Sequence, residues 1–361
     1  MQPTLCFGEV MARLSPPGNL RLRQAMPGTL EVTFAGAEVN VAAAIASLGG
    51  PAEFVTALPR NEIADACLAA LRGAGVGIDR VIRRDDGRFG LYFFEAGANQ
   101  RVGNVVYDRE NSAFALTPGS AYPWPKLFAG AGWFHTTGIS PGVSRVAAEA
   151  TLAGTRAARA AGLMVSCDLN FRRKLWRWDP QVEPAELARQ TFGQLMPAVD
   201  LVVGGAADIA LAAGLKWTAT SGLGFDRGAT TALAREYVRR FPQTKWVAMT
   251  LREGCSASHS RWGAFLYEAA DDATFLAPTD NSAYAPFDIS AIVDPLGTGD
   301  AFAAALIFAL QTPELAEPSR ALHFATAASC LAHSIKGDFN FCARSEVEAL
   351  MAGSNGSRLG R

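Results

Sequence analysis

The chain has 361 residues, 49% of them hydrophobic, and balances 33 basic against 34 acidic side chains for a net charge of −1. That length supports one large α/β unit with a smaller appendage, and the even charge, with no long basic run, gives no sign of a nucleic-acid partner. The six cysteines (Cys6, Cys67, Cys167, Cys255, Cys330, Cys342) form no CxxC pair and no zinc spacing with histidine, which points to a reducing, cytoplasmic setting. No basic segment followed by an apolar run opens the chain, so no signal peptide is expected, and Ala301–Leu310 is too short to cross a bilayer.

In chain order, Thr4–Gly8 reads as a first buried strand. A stretch rich in Pro, Gly and Arg, residues 13–31, leads through Val32-Thr33-Phe34 to Ala35-Gly36-Ala37-Glu38-Val39-Asn40. An Ala-rich helix over Val41–Leu48 ends at Gly49-Gly50. Ala52–Leu58 is the next strand and Glu62–Arg72 the next helix. The alternation predicts a mostly parallel sheet covered on both faces.

Two stretches break that rhythm. Phe89–Glu95 and Gly103–Asp108 are strands with no helix between them and read as a hairpin. With residues near 10–33 they form a small separate sheet, whose apolar face needs cover from the main body or from another subunit. The α/β rhythm then resumes. Trp133–Thr137, Leu163–Asp168, Asp200–Gly204, Lys245–Thr250 and Ile289–Val293 read as strands. Val143–Ala161, Pro318–Ser334 and Ser345–Met351 read as helices, Pro318 being tolerated at a first helical position. The run from Gly353 to Arg361 is small and polar and reads as a flexible tail, leaving residues 1–352 as a single domain.

The most informative stretch is Asp294-Pro295-Leu296-Gly297-Thr298-Gly299-Asp300, followed by the apolar run Ala301–Leu310. Glycines at a strand-to-helix turn let the backbone fold tightly. The first N–H groups of the helix then point outward at the positive end of its dipole and make an anion site. Asp300 in that first turn opposes anion binding, but it suits removal of a proton from a hydroxyl that attacks phosphorus. An N-capping Asp after a glycine turn is the plain structural alternative.

Other stretches carry weaker signals. Asp168-Leu169-Asn170-Phe171-Arg172-Arg173-Lys174 follows a strand end, where ligands collect in parallel sheets, and its Arg172 suits phosphate; a solvated basic loop is the bland reading. Thr250-Leu251-Arg252-Glu253-Gly254 reads as a polar turn able to hold a nucleotide, or as an ordinary loop. Gly36 and Asn40 open a helix where a ligand could approach the backbone, or cap it. Tyr92, Tyr107 and Arg109 sit on the hairpin and face a ligand only if it is a lid. None of the four histidines has a metal or triad spacing.

Together these motifs resemble the ribokinase-like (PfkB) family of sugar kinases, and within it the 2-keto-3-deoxygluconate kinases, over nearly the whole length. Gly8–Pro17 is similar to that branch's opening, and Ala35–Ala42 to the family's first glycine motif, with Ala35 where Gly is usual. Val106–Arg109, Asp168–Arg172, Gly297–Phe302 and Gly337-Asp338-Phe339-Asn340 complete the resemblance. It implies an α/β three-layer sandwich with a mostly parallel sheet plus a small β-sheet lid. It also implies ATP with Mg²⁺ and phosphorylation of 2-keto-3-deoxygluconate on a hydroxyl. Asp300 would be the base, and the amides of Leu296, Gly297, Thr298 and Gly299 the anion hole. Arg172 would bridge phosphate and substrate; Gly36, Asn40, Tyr92, Tyr107 and Arg109 would hold the sugar acid. Asn170, Thr250, Arg252, Gly254, Gly297 and Gly299 would line the nucleotide side. The lid would also join subunits.

One departure stands out. Where the family has Asn-x-x-Glu, supporting Mg²⁺ and water, this chain has Gly205-Ala206-Ala207-Asp208, leaving Asp208 as an indirect metal partner. The expectation is an active sugar-acid kinase. The rivals are another kinase of the family, such as a fructokinase, or a weakened sugar-acid sensor.

Overall fold

The computed structural model describes residues 1–217 and 225–353. The expected tail therefore lies, apart from Gly353, outside the described residues. Short runs rich in Val, Leu, Phe and Trp supply the strands: β1 (Thr4–Phe7), β2 (Met11–Ser15), β3 (Glu31–Ala35), β4 (Ala52–Pro59), β5 (Val81–Arg84), β6 (Gly90–Glu95), β7 (Asn104–Asp108) and β8 (Trp133–Thr137). These are followed by β9 (Met164–Asp168), β10 (Leu201–Gly204), β11 (Trp246–Ser256), β12 (His259–Glu268), β13 (Ala273–Ala277), β14 (Thr279–Asp280), β15 (Ala283–Tyr284) and β16 (Phe287–Ile289).

Ten strands form the main sheet in the order β13-β12-β11-β10-β9-β8-β1-β4-β5, with β16 beside β12. From β11 to β5 every pair is parallel, whereas β12 is antiparallel to β11, β13 and β16. Residues Leu5, Phe7, Val165, Cys167, Val202 and Val247 are fully buried, as strands covered on both faces require. Helices Ala37–Ser47, Thr298–Leu310 and Pro318–Ala332 pack with one core; Arg145–Ala160, Pro184–Leu195 and Arg227–Arg240 pack with the other. Strand order reverses at β1: the chain lays β4 and β5 on one side of it, then β8 to β11 on the other. The carboxyl ends of strands at such a reversal are where open α/β sheets bind ligands. No helix among the described residues is long and apolar enough to cross a membrane.

The small sheet runs β3-β2-β6-β7. Met11, Ala35, Tyr92 and Phe94 form its buried inner face, against which Leu296 packs from the main body. Its outer face keeps Val32 and Val106 exposed.

Two helices matter most for position. Ala37–Ser47 and Thr298–Leu310 lie against each other, and both are rich in buried alanine, Ala42, Ala43 and Ala44 in one and Ala303, Ala304 and Ala305 in the other. Small side chains let helix axes approach closely.

The segment before the glycine turn is not the expected strand. β16 ends at Ile289, and residues 290–297 form a loop with Val293 exposed. The parallel sheet ends at β11, so Ile289–Val293 has no parallel neighbour to pair with; the backbone of Val293 bonds instead to His333. Thr250–Cys255 is not a turn either. It continues β11 into a long hairpin with β12, because Thr250 to Gly254 pair in register with Ala264 to Ser260.

Candidate active site

A cavity of about 310 Å³ opens beyond the carboxyl ends of β1, β9 and β10 and beside the middle of β11, between the main sheet and the small one. Nearly all the residues singled out from the sequence line it. Helix Thr298–Leu310 contributes Asp300 from its first turn. Gly297 precedes that helix with φ +77°, in the left-handed region, and a Cβ there would lie 2.1 Å from the backbone oxygen of Asp338. Only glycine fits that turn. Ala301 is the first residue of the helix whose N–H is taken, by the Gly297 carbonyl at 2.8 Å. The earlier amides have no partner one turn back and are free for an anion. Leu296 corrects the expected cradle: its N–H is already donated to Asp294 Oδ1 at 3.1 Å. The candidate cradle is therefore Gly297, Thr298 and Gly299.

Asp300 is buried, and Asn40 Nδ2 donates to its Oδ2 at 2.6 Å. The two residues are 260 apart in sequence, and the packing of their helices against each other brings them together. Burial pushes the Asp300 carboxyl up to about 7, opposed by the Asn40 hydrogen bond. A carboxyl with a value near neutrality is suited to take a proton. Asn40 also accepts from the Gly36 N–H at 3.2 Å. A Cβ on Gly36 would lie 2.1 Å from the Glu9 carbonyl, so that close approach needs glycine.

The small sheet supplies Tyr92 and Tyr107, which are register partners across β6 and β7, and Arg109 follows just beyond β7. Arg109 is buried; its Nε donates to Glu9 Oε2 at 2.8 Å and its Nη2 to the same oxygen, which leaves Nη1 without a hydrogen bond among the described residues. The Tyr92 hydroxyl donates to Asp338 at 3.0 Å.

On the other side, Asp168 ends β9, and Asn170 and Arg172 follow it. Asn170 has φ +35°, an uncommon conformation for a non-glycine residue, and its N–H donates to Asp168 Oδ1 at 3.1 Å. Burial, with Asp300 nearby, pushes the Asp168 carboxyl up to about 8. Arg172 is exposed and, among the described residues, makes no ion pair with an acid. Asp208, in the first turn of helix Ala206–Ala213, also faces the cavity, and burial raises it against the pull of Arg172. Thr250 and Arg252 line the cavity from β11, but Gly254 does not. It sits farther along the hairpin in open space, because β11 runs on past the cavity instead of turning back at it.

Among the described residues, no three His, Cys, Asp or Glu side chains cluster as a metal site. A cation carried in on nucleotide phosphates needs only one or two protein carboxylates. Asp208 and Asp168 beside Arg172 fit that limited demand.

In the sequence, Glu9, Arg13, Asp294 and Asp168 stand out only as members of longer motifs, with no role of their own. Glu9 orients Arg109; Arg13 donates to Asp294 Oδ2 and Asp338 Oδ1, both at 2.5 Å. Asp338 was noted only as part of a matching motif. A buried Arg–Asp network spanning hundreds of residues leaves no local spacing to read.

A parallel sheet, a glycine turn before a buried carboxylate, and a second sheet covering the cavity have the layout of a sugar kinase. The chain belongs to the pfkB family of carbohydrate kinases, whose profile matches residues 1–342. It is 33% identical over 350 residues to the 2-dehydro-3-deoxygalactonokinase of Haloferax volcanii, covering 97% of this chain and 96% of that one. It is 31% identical over 170 residues to the 2-dehydro-3-deoxygluconokinase of Bacillus subtilis, 47% of this chain and 52% of that protein. The crystal structure of the 2-dehydro-3-deoxygluconokinase of Thermotoga maritima superposes with a TM-score of 0.87 at 36% identity, covering 98% of this chain and all of that one.

Proposed function

We propose that this carbohydrate kinase transfers the terminal phosphoryl group of ATP to a hydroxyl of 2-keto-3-deoxygluconate. The observation that carries the reading is the meeting of Asp300, the open amides of Gly297–Gly299 and the guanidinium of Arg109 in the lining of one cavity. Tyr107 and Arg109 hold the sugar-acid carboxylate, for which a guanidinium is a matched partner. Gly36, Asn40 and Tyr92 hold the rest of the molecule. Asp300 takes the hydroxyl proton, and the oxygen forms its bond to the γ-phosphorus as the bond to ADP breaks. The amides of Gly297, Thr298 and Gly299, with Arg172, hold the charge on the phosphoryl oxygens in place. Asn170, Thr250 and Arg252 flank the nucleotide. Mg²⁺ bound with ATP would neutralise phosphate charge, and Asp208 is the residue that would help to hold it.

The small sheet acts as a lid over the sugar acid. Its exposed Val32 and Val106 give it an apolar outer face for a second copy of the chain, so the active form is a homo-oligomer.

An ADP-release assay over 2-keto-3-deoxygluconate, its galactonate epimer and fructose tests the assignment. Turnover of the gluconate compound is expected to exceed that of fructose by orders of magnitude, since fructose offers no carboxylate to Arg109. Preference for the galactonate epimer would move the substrate to that of the Haloferax relative, and preference for fructose would end the sugar-acid reading.

A further inference from the structure

The small sheet reaches the anion cradle through one buried cation. Arg13 lies on β2, in register with Tyr92 of β6, and its guanidinium sits 4.6 Å from the centre of the Phe94 ring. Its Nη2 donates to Asp294 and its Nη1 to Asp338, each at 2.5 Å, and all three side chains are buried.

Both carboxylates shape the turn. Asp294 uses one oxygen to accept from the Leu296 N–H at 3.1 Å, and the other to accept from the Gly337 N–H at 3.2 Å. Asp338 places its carbonyl against Gly297, so closely that no Cβ would fit. Leu296 itself is packed into the inner face of the small sheet. The turn that opens the helix is thus gripped on both sides by acids that a single guanidinium joins. Burial raises the Asp338 carboxyl, and Arg13 counters this.

We propose that Arg13 is a positioning residue for phosphoryl transfer. Its flat fork holds Asp294 and Asp338 at a fixed separation, which aims the amides of Gly297–Gly299. Because Arg13 belongs to the small sheet, that aim exists only while the sheet is docked. Closure over the sugar acid and completion of the anion cradle are one event. The inference rests on the kinase reading above. A point charge on a flexible stem cannot reproduce a bidentate fork, so charge alone is insufficient.

The test compares Arg13→Lys and Arg13→Met in the full chain. For Arg13→Lys, kcat is expected to fall about tenfold or more, with the KM values for sugar acid and ATP within threefold. Arg13→Met is expected to lose about 10²-fold in kcat, the scale of a misplaced oxyanion donor. Affinity for ADP with aluminium fluoride, a mimic of the phosphoryl group in flight, should fall in step with kcat while affinity for ADP alone holds. An Arg13→Lys protein with a lower melting temperature but wild-type kcat overturns the proposal. A loss confined to KM, or failure of both variants to fold, also overturns it by making Arg13 a purely structural tie. Absence of phosphoryl transfer by the wild-type chain to any sugar acid is a different result, and it strikes the kinase reading itself.

Discussion

Gly297–Asp300 and Gly205–Asp208 each place a glycine before a helix and a carboxylate in that helix's first turn, and both line one cavity. Their surroundings differ. Gly297 is left-handed and wedged against Asp338, whereas Gly205 has φ −77° and nothing within 4 Å of where a Cβ would stand. Asp300 is buried against Asn40. Asp208 is less buried and stands near Arg172, the Phe171 backbone and Asp168. The same three-residue spacing therefore makes a chemical site in one place and, in the other, an open helix start with one helpful charge. What separates them is how tightly neighbours hold the turn.

The sharpest way to break the contrast is at the two carboxylates. Asp300→Ala is expected to lower kcat by about 10²–10⁴-fold, the contribution of a general base, in the ADP-release assay. Asp208→Asn should cost about tenfold or less, mostly as a raised Mg²⁺ requirement, because a carboxylate acting through water contributes less than one touching the reacting atom. Equal losses at the two positions would erase the distinction.

The glycines come next. Gly297→Ala is expected to destabilise the fold by about 2–4 kcal/mol, from overpacking against Asp338 and strain at positive φ, read as a lowered denaturation midpoint. Gly205→Ala should stay within about 1 kcal/mol, since its φ suits alanine and only a weak cap preference is lost.

A pH series sharpens the picture further. Asp300 must be ionised to accept a proton, so kcat/KM should rise through about pH 7 and then level. Stability should move the other way. A buried carboxyl raised from an ordinary 3.8 to about 7 binds more protons folded than unfolded across that window, so its contribution to stability falls as pH rises through it. Asp300→Asn should therefore melt higher than wild type at pH 8, and the gain should vanish near pH 3.

Much of the architecture was legible because strands such as Trp133–Thr137 and helices such as Glu62–Gly73 carry their own periodicity and punctuation. The cavity was legible where glycine turns sit beside polar residues. Two errors share a cause: Ile289–Val293 and Thr250–Cys255 have strand-like or turn-like composition, but their neighbours in the sheet decide their fate. Gly254 went astray with the second. The Arg13 network and the Glu9–Arg109 pair could not be read locally, since their partners lie 281, 325 and 100 residues away.

Ala44 and Ala304 stand one helical turn beyond Asn40 and Asp300, on the same faces of the packed helices Ala37–Ser47 and Thr298–Leu310, and their small side chains act as shims. They set the gauge between Asn40 and Asp300, although none of them need touch a reactant. Adding a branched side chain at Ala304, which is fully buried, would spread the pair and lengthen a 2.6 Å contact one helical turn from the edit. Directed libraries that aim at the mouth of the pocket would overlook these spacers, and random ones would find them as slow variants with intact ligand affinity.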